Sequence, residues 1–349
     1  MDGTAADVDG RSYTPAMDVM AYLLDSDPAI RWQVLRDLLD APDEEVAAER
    51  ARVATEGWGA RLLAEQAPDG LWDGGTYRPG WVDEERPFYD AWSATHPSLE
   101  LLREFGPDPR DPAIVTAIAR VRDNVRWDHA GQRYFDGEVE PCINGGALAN
   151  AAYFGQDGSP IVETILAGQL PDGGWNCWDE DGTSVSSFHS TLTVIEGLLA
   201  WERAQEQAVE QTVEQAGDGA GDRAPGASEA VTAARLRGEE YLLERRLLWR
   251  LSTGEMVDPR WAMPSFPTRW YYDSLRALDY FRQARPERDE RCADAIEVLR
   301  SKRLGMGMWK LELRHEGPTL FELDGEGAGF PSRWITLRAM RVLRWWDAA

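Results

Sequence analysis

One seven-residue motif occurs three times along the chain and constrains its fold. Residues 66–72 read QAPDGLW, residues 169–175 read QLPDGGW and residues 303–309 read RLGMGMW. An apolar segment with helical spacing precedes each copy, and a polar, Gly-rich segment follows it. Pro and Gly end helices, and Asp favours the turn that follows. The motif therefore predicts a repeated array of helices that end in similar corners.

A second repeat predicts the helix that follows each corner. In five segments apolar residues recur three positions apart, which is typical of a helix with one buried face. These segments begin at Leu99, Leu148, Leu192, Leu275 and Leu337. Other helices are predicted over residues 16–25, 29–40, 43–65, 112–125, 159–168, 229–248 and 287–302.

Helix pairs that recur about every 50 residues predict an all-α fold. We predict an (α/α)6 toroid, in which six helix pairs close into a double ring, with an open solenoid as the alternative. Residues 1–60 would form N-terminal helices packed on the ring, and residues 61–349 would form the toroid itself. The low-complexity segment at about 205–228 is predicted to be a mobile insertion.

The charge and composition of the chain exclude several classes of partner. The sequence has 37 Lys and Arg against 61 Asp and Glu, a net charge of −24. Because nucleic acids and anionic lipids require clustered basic residues, we expect neither as a partner. We find no apolar run long enough to predict a transmembrane segment and no signal-peptide pattern, so we predict a cytoplasmic protein. Three cysteines are too few for a disulfide framework and fit a reducing compartment.

The motif copies at Gln66 and Gln169 resemble the QW repeats of squalene and oxidosqualene cyclases. The segment 173–198, GGWNCWDEDGTSVSSFHSTLTVIEGL, is similar to the Gly-Gly-aromatic loop and His-bearing helix of protein prenyltransferase β subunits. Both families are α/α toroids, so the resemblance implies a closed ring that acts on a polyene or an allylic diphosphate. It also implies that the motif tryptophans are structural, because in QW repeats the Gln amide and the Trp ring pin adjacent helices.

The sequence indicates the catalytic residues less clearly than it indicates the fold. The cyclases protonate their substrate with an Asp-x-Asp-Asp motif, which this sequence lacks; its nearest strings are WDEDG and LDGEG. We take Asp179, Asp181 and Glu138 as the candidate catalytic carboxylates. Adjacent loop carboxylates are more often a solvated turn, which is the alternative interpretation.

A metal site is implied by the prenyltransferase resemblance. Those subunits bind zinc through Asp-x-Cys before one inner helix and a His at the start of the next. Here Glu140 stands two residues before Cys142, and His189 opens the following inner helix. The resemblance therefore implies a zinc site of Glu140, Cys142 and His189, with Cys177 as a substitute ligand. A buried thiol and a hydrogen-bonded histidine are the alternative, and magnesium would be implied if the substrate is a diphosphate.

Two similar pentapeptides, FPTRW and FPSRW, carry Arg269 and Arg333 just before predicted inner helices. Two guanidinium groups near positive helix ends suit a diphosphate or a carboxylate. We therefore predict that both arginines bind an anionic substrate group. Structural ion pairs of Arg269 with Asp273, and of Arg333 with Asp324 or Glu322, are the alternative.

Aromatic residues are dense around these positions, and the sequence contains 16 tryptophans. Ring faces pack against isoprenoid chains and stabilise cations, although they could instead plug the ring. Besides the two arginines, the predicted substrate-binding residues are Trp178, Phe188, Trp270, Tyr272, Trp334 and His96.

Three functions are compatible with this sequence. The leading one is an isoprenoid-processing enzyme that initiates cyclisation or prenyl transfer by protonation, ionisation or a metal. The second is an (α/α)6 glycoside hydrolase or lyase with paired carboxylates, and the third is a non-catalytic toroid that binds a lipid or a protein. The predicted chemistry requires five segments to meet at one rim, those at His96, Cys142, His189, Arg269 and Arg333.

Overall fold

The computed structural model describes residues 18–82, 91–177, 182–216 and 225–348. These residues are mostly helical, which confirms the all-α class. The helices are α1 Val19–Leu24, α2 Pro28–Asp37, α3 Asp43–Ala51, α4 Gly57–Ala64, α5 Thr95–Phe105, α6 Pro112–Asn124, α7 Pro141–Tyr153, α8 Ser159–Ala167, α9 Phe188–Ala216, α10 Pro225–Glu244, α11 Ser274–Ala284, α12 Ala293–Ser301 and α13 Arg333–Ala348. Strands β1 Trp309–Lys310 and β2 Pro331–Ser332 pair antiparallel.

The helices with the three-residue apolar spacing are α5, α7, α9, α11 and α13, and they pack as neighbours. Helix α7 contacts α5 and α9, and α11 contacts α9 and α13. Helix α2 contacts both α13 and α5. On one side, the indole of Trp32 donates to the carbonyl oxygen of Phe105 at 2.9 Å. On the other, Arg341 pairs with Asp37.

Helices α7 and α9 approach each other closely because glycines face each other. A Cβ on Gly145 would lie 2.5 Å from the carbonyl oxygen of Thr193, and one on Gly197 would lie 2.4 Å from the carbonyl oxygen of Gly145. Since real Cβ atoms do not come so near to a backbone, only glycine allows this spacing. The close approach brings the first turns of the two helices side by side.

The three motif tryptophans have the same surroundings and are fully buried. Each indole N–H donates to a carbonyl oxygen of the preceding helix, and each backbone N–H donates to a threonine hydroxyl in the first turn of the next inner helix. The sets are Trp72 with Leu62 and Thr95, Trp175 with Ile165 and Thr191, and Trp309 with Leu299 and Thr336. These contacts confirm the structural role predicted for the tryptophans.

The motif glutamines join neighbouring outer helices. The side-chain amide of Gln66 donates to the carbonyl oxygen of Ala117 in α6 at 3.0 Å, and that of Gln169 donates to Ala234 in α10 at 2.8 Å. The third copy has Arg303 in this position, and its guanidinium carbon lies 5.6 Å from the Trp309 ring centre. Each corner therefore fixes a helix pair to the next pair.

The structure differs from the predicted helix over residues 43–65, which is divided into α3 and α4. Gly57 has a φ of +63°, and a Cβ there would lie 2.0 Å from Oδ2 of Asp27. The same carboxylate accepts the backbone N–H of Trp58 at 2.8 Å, so it begins a new helix at this point.

The predicted insertion also differs in part from the structure. Residues 205–216 continue α9, and residues 225–228 belong to α10. Ala, Glu and Gln favour helices, which explains this extension. Residues 217–224 lie outside the described residues, as do residues 1–17 of the predicted N-terminal part. Among the helices of the described ranges, none is long and apolar enough to span a bilayer.

Candidate functional site

Two pockets lie side by side and share the Trp92 side chain. The larger has a cavity volume of about 40 Å³; we call it the arginine pocket, after Arg269 and Arg314, and His315 also lines it. The smaller one, the glutamate pocket, is lined by Tyr77, Trp92, His96, Pro97, Glu100, Cys142 and Trp270, among others. The Trp92 indole is fixed by donation to the carbonyl oxygen of Glu316 at 2.7 Å.

Arg269 places a cation without a counter-ion in the arginine pocket. Its backbone has a left-handed φ of +54°, which is uncommon for a residue with a side chain. Among the described residues it forms no ion pair within 4.0 Å, and its guanidinium carbon lies 5.4 Å from the Trp92 ring centre. Burial lowers the pKa of Arg269 to about 10, so the group stays charged at neutral pH.

His315 adds an unsatisfied polar atom to the same pocket. Its ring stacks on Tyr271 with the ring centres 3.9 Å apart. Its Nε2 is buried and has no hydrogen-bond partner within the described ranges. Burial, and then the charge of Arg269, lower the pKa of His315 to about 3, so the ring is neutral. A buried polar atom without a partner is costly, and a ligand that bonds to it would remove that cost.

The arginine pocket is lined by two glutamates as well as its two arginines, whereas Glu100 lines the glutamate pocket without any lysine or arginine among the described lining residues. A carboxylate oxygen of Glu100 lies 3.5 Å from Nε2 of His96, its only basic contact within 4.0 Å in the part of the chain described. His96 is buried, and its Nδ1 lies 2.9 Å from the hydroxyl of Tyr134. Burial lowers the pKa of His96 below its ordinary value of 6.5, so the ring is neutral and Glu100 is not neutralised by it.

The two predicted anion-binding arginines are placed differently. Arg333 is the first residue of α13 and lines neither pocket. Its Nε donates to the carbonyl oxygen of Tyr22 at 3.2 Å, and its guanidinium carbon lies 4.5 Å from the Tyr22 ring centre. Its backbone N–H donates to Glu326 at 2.8 Å. Arg333 therefore fixes α1 to the start of α13.

The alternative ion pairs of these arginines do not form either. Asp273 accepts the backbone N–H of Arg276 at 2.8 Å and caps α11. Asp324 pairs with Arg61 at 2.8 Å, and Glu322 pairs with Arg314 at 2.5 Å.

The predicted aromatic residues divide between a pocket and the core. Trp270 lines the glutamate pocket. Phe188, Tyr272 and Trp334 are buried among other rings; Trp334, for example, stacks on Phe266 with centres 4.4 Å apart. The backbone N–H of Tyr272 donates to Nδ1 of His189 at 2.8 Å. Burial, and then Arg276, lower the pKa of His189 to about 4, so this histidine is neutral and holds a loop against α9.

The predicted zinc ligands are only partly brought together. The ligand atoms of Glu140, Cys142 and Cys177 lie within 4.8 Å of one another, and His189 is not part of this group. Cys142 and Cys177 are joined by a disulfide, whereas the sequence analysis expected reduced cysteines. Sulfurs bonded to each other cannot bind zinc as thiolates, so this arrangement does not fit the implied zinc site. Zinc binding by the reduced protein stays a prediction.

Of the predicted catalytic carboxylates, the structure describes only Glu138. The Glu138 carboxylate accepts the backbone N–H of Glu140 at 2.8 Å, next to the start of α7. Asp179 and Asp181 lie outside the described residues, as does Trp178.

Ion pairs connect the helices α5, α9, α11 and α13. Arg276 of α11 bonds to both carboxylate oxygens of Glu196 in α9, at 3.0 and 2.6 Å. Arg338 of α13 pairs with Glu104 of α5 at 2.5 Å. Both arginines are buried, so these pairs place charged groups between the helices.

The chain matches no family model, no curated protein and no solved structure. The residues that sequence reasoning missed are Trp92, Glu100 and His315. For Glu100 a signal existed, because it stands four residues after His96 and so shares its helix face. Trp92 and His315 lie outside the helices and follow no repeat.

Proposed function

We propose that the chain is a closed (α/α)6 ring of the isoprenoid-processing type. The order of helix contacts supports closure, because α2, α5, α7, α9, α11 and α13 each contact the next and α13 returns to α2. The proposed ring therefore includes a helix from residues 1–60, which the sequence predicted to pack on the ring and not to belong to it. The repeated corners at the three motif tryptophans support a ring of equivalent helix pairs.

The proposed substrate is an isoprenoid with an anionic head group, which the arginine pocket would bind. The observation that carries this proposal is Arg269, a desolvated guanidinium that forms no ion pair within 4.0 Å in the described structure, although Glu100 acts on it from farther away. A phosphate or carboxylate would pair with it and could bond to Nε2 of His315. Phe266 and Leu320 line the same pocket and offer apolar contact for the first part of the chain.

A non-catalytic ring that binds a ligand at its rim is the second candidate. The ion pairs Arg276–Glu196 and Arg338–Glu104 favour it, because they occupy the space between helices where a long polyene would have to fold. In such a non-catalytic ring, Arg269 and His315 would bind the ligand head group in the same way, but the ligand would not react.

Binding and product analysis separate these candidates. The purified full chain is titrated with farnesyl and geranylgeranyl diphosphate, with and without magnesium, and with squalene. We expect micromolar binding of the diphosphates, weaker binding of squalene, and loss of diphosphate binding in Arg269→Gln but not in Arg333→Gln. New hydrocarbon or alcohol products in gas chromatography support the enzyme, and binding without products supports the non-catalytic ring. If neither diphosphate binds, the isoprenoid proposal is wrong.

A further inference from the structure

We propose that the glutamate pocket is a binding site for a primary ammonium group. The proposed ligand of the glutamate pocket is a cation, whereas the proposed ligand of the arginine pocket is an anion. The inference therefore does not depend on the isoprenoid proposal. The ammonium would donate to the Glu100 carboxylate, with the aromatic side chains of Tyr77, Trp92 and Trp270 lining the pocket around it.

The charge of Glu100 is the first argument. Its one close basic neighbour is the neutral ring of His96, at 3.5 Å. Arg269 and Arg276 also act on it electrostatically, but neither lies within 4.0 Å. Arg276 is already bonded to both oxygens of Glu196. A mostly buried carboxylate with no direct counter-ion gains from a cationic ligand.

The aromatic walls are the second argument. Ring faces attract cations, and a cation held between rings and a carboxylate is stabilised by both. Burial raises the pKa of Tyr77, and the charges of Glu100, Glu140 and Glu138 act in the same direction. Three carboxylates therefore make this part of the pocket negative, which favours a cation over a neutral group.

The size of the pocket selects the kind of cation. The glutamate pocket has room for a group about as large as a water molecule. A primary ammonium has this size, whereas a trimethylammonium group is much larger. Gly146 lies directly opposite, because a Cβ there would lie 2.5 Å from Oε1 of Glu100 and 3.0 Å from Nε2 of His96. A methyl group at position 146 would therefore push the carboxylate out of place.

The experiment titrates the full chain with propylammonium chloride at constant ionic strength and follows tryptophan fluorescence and the heat of binding. The matched ligands are 1-propanol, which lacks the charge, tetramethylammonium, which is too large, and potassium chloride. We expect saturable binding of propylammonium alone. Glu100→Gln should weaken it by at least about tenfold, because a charge-assisted hydrogen bond is lost.

Two further variants keep the result interpretable. Gly146→Ala should weaken propylammonium binding while it retains the carboxylate, and Glu163→Gln, at an exposed carboxylate of α8, should leave binding unchanged. Circular dichroism must show native helix content in each variant. Arg269→Gln should not weaken propylammonium binding, although it should weaken binding of the diphosphates by at least about tenfold, so the two proposals fail separately.

Several outcomes would overturn the ammonium site. One is the absence of saturation at about 100 mM propylammonium. Another is equal binding of 1-propanol, tetramethylammonium or potassium. A third is unchanged propylammonium binding in a folded Glu100→Gln protein.

Discussion

Two pentapeptides that differ in one letter have different structures and different roles. In FPTRW, Phe266 is 2 % exposed and Arg269 lies five residues before α11, in a pocket. In FPSRW, Phe330 is 69 % exposed and Arg333 is the first residue of α13. The hydroxyl of Ser332 accepts the backbone N–H of Ile335 at 3.0 Å and starts that helix at once.

The difference comes from what each segment packs against. Pro331 and Ser332 pair with β1, which draws the second segment into the corner next to Trp309. The first segment has no such strand partner within the described structure, and Asp273 caps its helix four residues after Arg269. Two nearly identical short sequences can thus place one arginine in a pocket and the other in a contact between helices. The position of the helix cap relative to the arginine determines which of these environments the arginine has.

The largest expected effect is on stability, and it concerns the tryptophans that end the two segments. Trp334 is buried and stacks on Phe266, Phe105 and Trp58, whereas Trp270 is partly exposed at the glutamate pocket. We expect Trp334→Ala to lower the free energy of unfolding by about 3–5 kcal/mol. Trp270→Ala should cost about 1–2 kcal/mol. Urea unfolding measures both, and equal losses would contradict the difference between the segments.

The second prediction exchanges each arginine for glutamine. Arg269→Gln should weaken binding of farnesyl diphosphate by about 1.5–3 kcal/mol, because a charge-assisted hydrogen bond is lost. It should not lower stability, since it removes an uncompensated buried charge. Arg333→Gln should leave binding unchanged and lower stability by about 1 kcal/mol, through the lost contacts with Tyr22. Calorimetric binding and urea unfolding of both variants test this, and the reverse pattern would assign the anion site to Arg333.

The third prediction concerns acid and the two histidines that lie near the first segment. His189, 5.3 Å from Trp270 between ring centres, has a pKa of about 4, and His315, near Arg269, has a pKa of about 3; burial is the main cause for both. Because the unfolded chain protonates near 6.5, it binds more protons than the folded chain below that pH. The stability is therefore complete above about pH 6.5 and falls as the pH decreases toward the two folded pKa values.

At pH 5 the expected loss is up to about 2 kcal/mol for each histidine. Unfolding of the wild type is compared at pH 7 and pH 5 with that of His315→Asn and of His129→Asn. His129 is exposed, so its variant should keep the full pH dependence, whereas His315→Asn should lose part of it. Identical pH dependence in all three proteins would show that His315 is protonated in the folded state.

The sequence predicted the parts of this molecule that depend on local patterns. Helix periodicity and the repeated corners identified the inner helices, because apolar spacing and the Pro-Asp-Gly turn act within a few residues. The break at Gly57 was missed, since it depends on Asp27, thirty residues away in the chain. His96, Cys142, Trp270 and Arg269 do line the two adjoining pockets.

The remaining site residues could not be placed from the sequence because their partners come from distant segments. Arg333 bonds to Tyr22, and Nδ1 of His189 is occupied by the backbone of Tyr272. Cys142 meets Cys177 through the packing of α7 on α9, which no spacing rule indicates. Cytoplasmic location and zinc binding stay predictions, and zinc binding requires that this cysteine pair be reduced.

The smallest expected effect is a shift in the pKa of one histidine, and it tests the electrostatic environment of the arginine pocket directly. After burial, the charge of Arg269 is the next cause of the low pKa of His315. Removing that charge in Arg269→Gln should raise the pKa of His315 above its value of about 3. The chain has four histidines, so their ring-proton NMR signals can be assigned with single His→Asn variants and followed as the pH is lowered. Arg333→Gln should leave the pKa of His315 unchanged, because Arg333 is not among the charges that act on this ring.

An equal change of the His315 pKa in both arginine variants would mean that this pKa responds to the net charge of the protein. The proximity of Arg269 to His315 in the pocket would then have no specific effect.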